Sequence, residues 1–265
     1  MTATGRTFLR TNHLNARAIS SRNHSQENRR LSPDRGALPR PEWLPESVWP
    51  FQTFGLEANR SVVAVTDVGE GPTLVFVHTG VRSFIWRDVM ERLSRDYRCV
   101  CLDAPGTEQS SRLPGRAITL ERSARAVTAV IETLDLQEFT LVVHDLGEPA
   151  GIAGAAQVAE RVRGIAAVNA FGWRPSGSLF RGMLALMGSA PVREFDVWTE
   201  FLSRLTSTNF GIGRHMDGPS RQAFRKGIDR QARRAFHHYL RDARKCDPCT
   251  TKWSAPSRVP SRTCR

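Results

Sequence analysis

The sequence lacks any apolar run approaching the roughly 18 residues of a membrane-spanning helix. Its 265 residues are 40% hydrophobic, which suits one large domain with a sizeable core. We therefore expect a globular protein that does not take a membrane as its partner.

Cysteine is scarce, with five residues, and the opening residues show no signal-peptide pattern. The odd count argues against the disulfide framework of a small secreted domain, so we expect a reducing, cytoplasmic setting. Cys246 and Cys249 form one CxxC pair without a second pair at zinc spacing, and we expect free thiols there and no metal. Cys99 and Cys101 lie on one predicted strand, and we expect their side chains to face opposite ways and to stay unbonded.

Acidic residues are scarce at both ends of the chain. Residues 1–40 carry eight arginines and two acids, a net +6, and residues 213–265 carry fourteen basic and four acidic residues, a net +10. Since the whole chain carries +12, the segment between them carries −4. The basic charge is confined to the ends, so we do not expect nucleic-acid binding as the main function.

The same two ends lack the apolar periodicity of packed elements. Residues 1–40, rich in Arg, Ser and Asn, are predicted to be a disordered extension, with a transit peptide as the alternative because no acid precedes Glu27. Residues 246–265 are predicted to be an irregular tail. Order is therefore expected between residues 41 and 245.

Within that segment, apolar runs alternate with helical patterns. Near-continuous apolar runs of this kind are typical of strands buried on both faces, and we predict strands at 61–68, 73–78, 98–103, 139–144 and 164–169. Helices are predicted at 84–93, after the capping residue Thr119, and at 149–160. This alternation predicts a mostly parallel sheet with helices on both faces. Residues 176–245 are predicted to be helical throughout.

One of these strands ends in an unusual way, at His144-Asp145-Leu146-Gly147. The strand is predicted to turn sharply into a helix there, which places Asp145 at the exposed tip of a strained turn. A carboxylate at that point is a candidate nucleophile, and the following helix start offers backbone N–H groups to a developing negative charge. The alternative is a turn aspartate that only caps the helix.

The sequence around this turn resembles the α/β-hydrolases, specifically the haloalkane dehalogenase branch with the related epoxide hydrolases. Residues 144–149 (HDLGEP) resemble the nucleophile turn of that branch, residues 76–80 (FVHTG) its oxyanion loop, and residues 102–106 (LDAPG) the turn after its next strand. The resemblance covers residues 41–245. It implies an α/β-hydrolase core at 41–175 and a helical cap at 176–245.

The resemblance also implies a reaction and the residues that carry it. Asp145 is expected to attack a small apolar molecule and form an alkyl-enzyme ester, without metal or cofactor. The backbone N–H groups of Leu146 and of Thr79 or Gly80 are expected to hold the oxyanion when water attacks this ester.

The sequence departs from the family pattern at several positions. Leu146 replaces the tryptophan that holds the halide in dehalogenases, and Thr79 replaces an asparagine. Glu108 and Glu148 replace small residues, and Asn169 stands where some members carry the catalytic acid. The chain also ends twenty residues after the predicted cap, so we expect the last two strands, with the catalytic histidine and acid, to be missing.

Two other functions stay open from the sequence. One is a non-catalytic remnant whose pocket binds an apolar ligand or whose cap binds a protein partner. The other is binding to an anionic surface through the Arg-rich C-terminal part. The remaining histidines of the cap, His215, His237 and His238, are expected to be solvated helix residues.

Overall fold

The computed structural model describes residues 36–58, 61–78, 83–110, 118–170 and 177–244. Six strands form one sheet in the order β1-β2-β4-β3-β5-β6. Their bounds are β1 Thr53–Ala58, β2 Ser61–Val68, β3 Thr73–Val77, β4 Arg98–Leu102, β5 Phe139–Asp145 and β6 Val162–Ala170. Each predicted strand is present, with ends that differ by at most two residues.

The sheet is mixed and mostly parallel. The strands β4, β3, β5 and β6 pair in parallel, whereas β2 pairs antiparallel with both β1 and β4. β1 was not predicted, because its sequence TFGLEA is short and contains a glycine and an acid, although Phe54, Leu56 and Ala58 alternate along it. It forms as the hairpin partner of β2, with Phe54 opposite Val65.

Helices cover both faces of the central strands, as the sequence predicts. They are α1 Arg87–Leu93, α2 Leu120–Thr133 and α3 Gly147–Ala155. Met90 of α1 packs against Phe76 in one core cluster, whereas α3 packs on Val77 and Val143 through Gly151 on the other face. The predicted cap of α2 is confirmed, because the Thr119 side chain accepts a hydrogen bond from Arg122 N.

The helix after β5 begins earlier and ends earlier than predicted. It starts at Gly147, directly after the turn, and a 3₁₀ segment continues from Ala156 to Arg161. Pro149 therefore lies in the first turn, where its missing N–H leaves no hydrogen bond unmade.

The described residues after 176 form helices joined by short turns, in agreement with the prediction. The helices are α4 Ser178–Met187, α5 Ala190–Thr199, α6 Phe201–Thr206, α7 Gly218–Gly227 and α8 Arg230–Ala243. None of the helices in the described ranges has the length and apolar character needed to cross a membrane.

Helix α8 packs against the core and so connects the helical residues 177–244 to it. Tyr239 Oη donates a 3.0 Å hydrogen bond to the Pro105 carbonyl and accepts one of 3.2 Å from Ser123 Oγ. Tyr239 also shares a core cluster with Ala104, which follows β4, and Leu146, which follows β5. Helix α8 therefore covers the carboxyl ends of the central strands.

The prediction for the strand cysteines was partly wrong. Cys99 and Cys101 are buried free thiols, but they lie in the same core cluster and therefore on the same face of β4. Residues two apart on a strand share a face, so opposite orientation does not explain why they are unbonded. Burial raises the pKa of the Cys99 thiol to about 12, which keeps it protonated and unreactive.

Strand β6 is at one edge of the sheet, and within the described residues it pairs only with β5. Its side chains are largely exposed, including Ile165 at 54% and Val168 at 46%. An exposed apolar edge of this kind is a surface on which another chain can pair.

Candidate active site

The backbone at the end of β5 makes the sharp turn that the sequence predicts. Asp145 is the last residue of β5 and has a φ of 48°, in the left-handed region. Such a conformation costs on the order of 1 kcal/mol or more for a residue with a side chain, and it recurs at functional sites. Helix α3 begins two residues later, at Gly147.

Gly147 explains how this turn fits against the sheet. A Cβ on Gly147 would lie 2.3 Å from the Val77 carbonyl oxygen and 2.7 Å from His78 Cα. The backbone of the turn is therefore in direct contact with the end of β3, and only glycine leaves room for this approach. The contact places Asp145 beside the end of β3 and His78.

The Asp145 carboxyl is half-buried and hydrogen-bonded by its neighbour. Burial raises the pKa of this carboxyl, and nearby His144 and a hydrogen bond from the Leu146 backbone N–H offset part of that rise. The Leu146 N–H thus lies near the Asp145 carboxyl.

Two histidines and a tryptophan lie around the turn. The rings of His78 and His144 are stacked with centroids 5.2 Å apart, and Trp86 meets His144 edge-on at 6.0 Å. Burial, with a smaller contribution from His144, lowers the pKa of His78 to about 3, so His78 is neutral at physiological pH. The contact between Trp86 and His144 was not predicted from the sequence.

Glu148 is a buried acid in the first turn of α3. Its side chain is 7% exposed, and Oε2 has no hydrogen-bond partner in the described part of the chain. Burial raises its carboxyl pKa, which favours the neutral form. In the sequence, Glu148 was noted only because it places a charge where the family carries a small residue.

The other predicted oxyanion residues, Thr79 and Gly80, lie outside the described residues. Leu146 is described, and its side chain is 1% exposed in the cluster under α8. An aliphatic side chain packed in this way offers no N–H to a halide.

The expectation for the histidines of the helical segment was wrong for His237. His215 is exposed as predicted, but His237 is fully buried. Its Nε2 lies 3.1 Å from Asp196 Oδ2 and its Nδ1 lies 2.5 Å from the Met187 carbonyl oxygen. Since both ring nitrogens are occupied and shielded from water, His237 cannot act as a base for a substrate.

Asp145 lines neither of two cavities found in the described ranges. The larger is an open groove of about 720 Å³ lined by α7, α8 and Glu200, and the smaller, of about 60 Å³, lies beside the N-terminal residues 38–53. No three His, Cys, Asp or Glu side chains of the described ranges gather in a way that would hold a metal ion.

Comparison with known proteins decides the family. The sequence profile described as "alpha/beta hydrolase fold" matches residues 72–204, half of the chain. The chain belongs to the α/β-hydrolase fold family. The resemblance inferred from residues 76–80, 102–106 and 144–149 is confirmed at this level, and the mixed six-stranded sheet agrees with it.

Curated relatives of this α/β-hydrolase include dehalogenases. Haloalkane dehalogenase 2 of Mycobacterium tuberculosis is 28% identical over 147 residues, which are 55% of this chain and 51% of the relative. A haloalkane dehalogenase of Agrobacterium fabrum is 35% identical over 114 residues, 43% of this chain and 36% of the relative. The chain thus spans half or less of the length of these relatives.

Solved structures show the same fold over a larger share of the chain. An epoxide hydrolase from Vigna radiata superposes with a TM-score of 0.62 at 16% identity, covering 74% of this chain and 72% of that one. A haloalkane dehalogenase mutant from Agrobacterium tumefaciens gives 0.59 at 24% identity, with 71% and 67% covered. At these identities the likeness concerns the fold alone.

Proposed function

We propose that this α/β-hydrolase acts on a small apolar molecule through Asp145, in the manner of haloalkane dehalogenases and epoxide hydrolases. The observation that carries the proposal is the left-handed backbone of Asp145 at the strand-to-helix turn, with the Leu146 N–H on its carboxyl. Such a turn can present a carboxylate as a nucleophile, and the Leu146 N–H is the proposed donor to the oxyanion of the later ester hydrolysis.

In the first half-reaction, an Asp145 carboxylate oxygen forms a bond to a saturated carbon of the substrate. With a haloalkane, the carbon–halogen bond breaks and the halide leaves with the bonding electrons. The product is an alkyl ester of Asp145. The Leu146 side chain supplies no donor for the leaving halide, so we expect this step to be slow.

In the second half-reaction, water attacks the carbonyl carbon of the ester, the alcohol leaves, and the carboxylate is regenerated. The Leu146 N–H, with Thr79 or Gly80 as the proposed second donor, stabilises the oxyanion. Water needs a general base for this attack. Within the described ranges, the histidine paired with a carboxylate is His237, which is unsuited to the role. We therefore propose that ester hydrolysis is impaired.

The test is intact-mass spectrometry of the full chain after incubation with a reactive alkyl bromide, followed by peptide mapping. We expect one alkyl group per chain, on Asp145, and little or no sustained halide release. Asp145→Asn should abolish the adduct. Asp135→Asn is the matched control, because Asp135 also has a left-handed backbone, with φ 46°, but its side chain is 80% exposed.

Two results would contradict the proposal in different ways. Alkylation that is equal in wild type and Asp145→Asn would remove Asp145 as the nucleophile. Halide release over many turnovers would show that the second half-reaction is intact and that another group serves as base.

A second candidate function is a non-catalytic protein, and one observation favours it. The core cluster that contains Leu146 also contains Leu184 of α4 and Ala235, Tyr239 and Leu240 of α8. These side chains fill space directly beside the turn, and Asp145 lines neither of the two cavities. A folded chain that gives no adduct with any alkyl bromide would support this function.

A further inference from the structure

The groove lined by α7, α8 and Glu200 has no part in the proposed reaction. Its volume of about 720 Å³ falls within the roughly 300–1,000 Å³ of small-molecule sites. Its charged lining residues are five cations and two carboxylates, so the groove carries a formal net charge of +3; they are Arg221, Arg225, Lys226, Arg230, Arg233, Glu200 and Asp229.

Arg233 provides a fixed positive charge in the groove. Its side chain is only 5% exposed, and its guanidinium donates to the Ile228 carbonyl at 2.5 Å and to the Val197 carbonyl at 3.1 Å. Glu200 Oε1 lies 3.6 Å from Nη2 and offsets part of the charge. Neutral carbonyl groups hold the guanidinium in place without neutralising it.

The other cations of the groove have no carboxylate partner among the residues that the structure describes. In the described part of the chain, no carboxylate lies within ion-pair distance of Arg221, Arg225, Lys226 or Arg230. Arg221 donates to the Gly213 carbonyl at 2.7 Å, which again leaves its charge in place.

Arg230 is held by an aromatic ring. Its guanidinium carbon lies 4.5 Å from the ring centroid of Trp198, which orients the side chain without pairing its charge. Arg225 and Lys226 are exposed at the end of α7, and Arg230 and Arg233 follow on the first turn of α8. Cations on two adjacent helices therefore face one groove.

We propose that this groove binds a small polyanion that carries at least two oxyanion groups, of the phosphate or carboxylate class. Guanidinium groups match both classes with paired hydrogen bonds. Two anionic groups are needed because cations of α7 and α8 lie on separate helices. A concave site with a buried arginine fits a small ligand better than the flat backbone of a nucleic acid.

The test is isothermal titration of the full chain with pyrophosphate and, in a parallel arm, with citrate at equal ionic strength. We expect saturable binding of one ligand per chain, with inorganic phosphate at least about tenfold weaker because it spans only one helix. Comparison of the two arms assigns the ligand class to phosphate or carboxylate.

Two double variants separate a site from a general charge effect. Arg225→Gln with Lys226→Gln should weaken binding of the favoured polyanion by at least about tenfold. Arg92→Gln with Arg95→Gln removes the same charge from exposed positions at the end of α1 and should change affinity by less than about twofold.

Three results would overturn the proposal. These are an absence of saturable binding, an equal loss in the two double variants, and tighter binding of a single-stranded oligonucleotide with a stoichiometry set by its length. The last would assign the groove to nucleic acid. All four substituted residues are exposed, and circular dichroism checks that each variant remains folded.

Discussion

Strands β5 and β6 are neighbours that pair in parallel, yet they differ in how far their side chains are buried. Each has a left-handed residue near its carboxyl end, Asp145 with φ 48° and Asn169 with φ 44°. Asp145 is half-buried, whereas Asn169 is exposed. The same local backbone is therefore enclosed at one strand and open to solvent at the next.

The difference follows from how many sides of each strand are covered. β5 lies between β3 and β6, and Leu141 and Val143 are fully buried along it. In the described residues, β6 has one strand neighbour, and Ile165 and Val168 remain exposed. A strand in the middle of a sheet can carry a strained functional turn, because packing on both faces and hydrogen bonds on both edges hold the turn in place.

The largest expected effect compares Gly147, which follows the turn after β5, with Gly164, which lies within β6. Gly147→Ala should lower the free energy of unfolding by at least about 3 kcal/mol or prevent folding, because the new Cβ would lie 2.3 Å from a backbone oxygen. Gly164→Ala should change it by less than about 0.5 kcal/mol, since nothing lies within 4 Å of the new Cβ. Urea unfolding measures both, and equal effects would refute the contrast.

The next effect compares one aliphatic side chain on each strand. Leu141→Ala should cost about 2–5 kcal/mol of unfolding free energy, because Leu141 is fully buried and leaves a cavity. Ile165→Ala should cost less than about 1 kcal/mol, because this side chain is 54% exposed. A loss above 2 kcal/mol for Ile165→Ala would show that β6 is covered in solution.

The exposed edge should also promote association of the chain with itself. Ile165→Lys combined with Val168→Lys should raise the concentration for half-association by roughly tenfold, equivalent to about 1.4 kcal/mol. Light scattering across a concentration series measures this. Val89→Lys is the control, because Val89 is exposed and apolar but lies on α1. A similar shift in the control would attribute the effect to added charge.

The smallest effect concerns pH and the Asp145 carboxyl. Burial raises the pKa of this group in the folded state, so the folded protein loses stability as pH rises from the ordinary aspartate range through the raised value. Asp145→Asn should therefore be more stable than wild type at neutral pH, and the difference should vanish in acid. Thermal unfolding at a series of pH values tests this.

Asp135→Asn serves again as the control for this pH series. Asp135 accepts a hydrogen bond from Arg161 Nη1 at 3.2 Å on the surface. Its replacement should give a small loss of stability at neutral pH, with the opposite sign to Asp145→Asn. If Asp145→Asn also proves less stable at neutral pH, the carboxylate makes contacts that outweigh its burial.

The central fold was predictable because its signals are local. The apolar runs at β3, β4 and β5 are long enough to indicate strands buried on both faces. The strained turn at Asp145 was predictable for the same reason, since an apolar run, a polar pair and a glycine follow one another within seven residues. Fold and candidate nucleophile therefore came from short stretches of sequence.

The parts that could not be predicted depend on contacts between distant residues. His237 is buried because α5 and α4 pack on α8, placing Asp196 and the Met187 carbonyl against its ring. Nothing next to His237 in the sequence indicates this, and the surrounding Arg-rich pattern suggested solvent. The error shows that charge density along a helix does not predict which residue is enclosed.

By itself, the sequence determined the central strands, the alternation with helices and the position of Asp145 on a sharp turn, because hydrophobic period and glycine spacing act within a few residues. The tertiary structure decided that β1 joins the sheet, that α8 packs over Leu146, and that the cations of α7 and α8 share one groove. Each of these depends on segments far apart in the chain, whose contacts form only when the whole core packs.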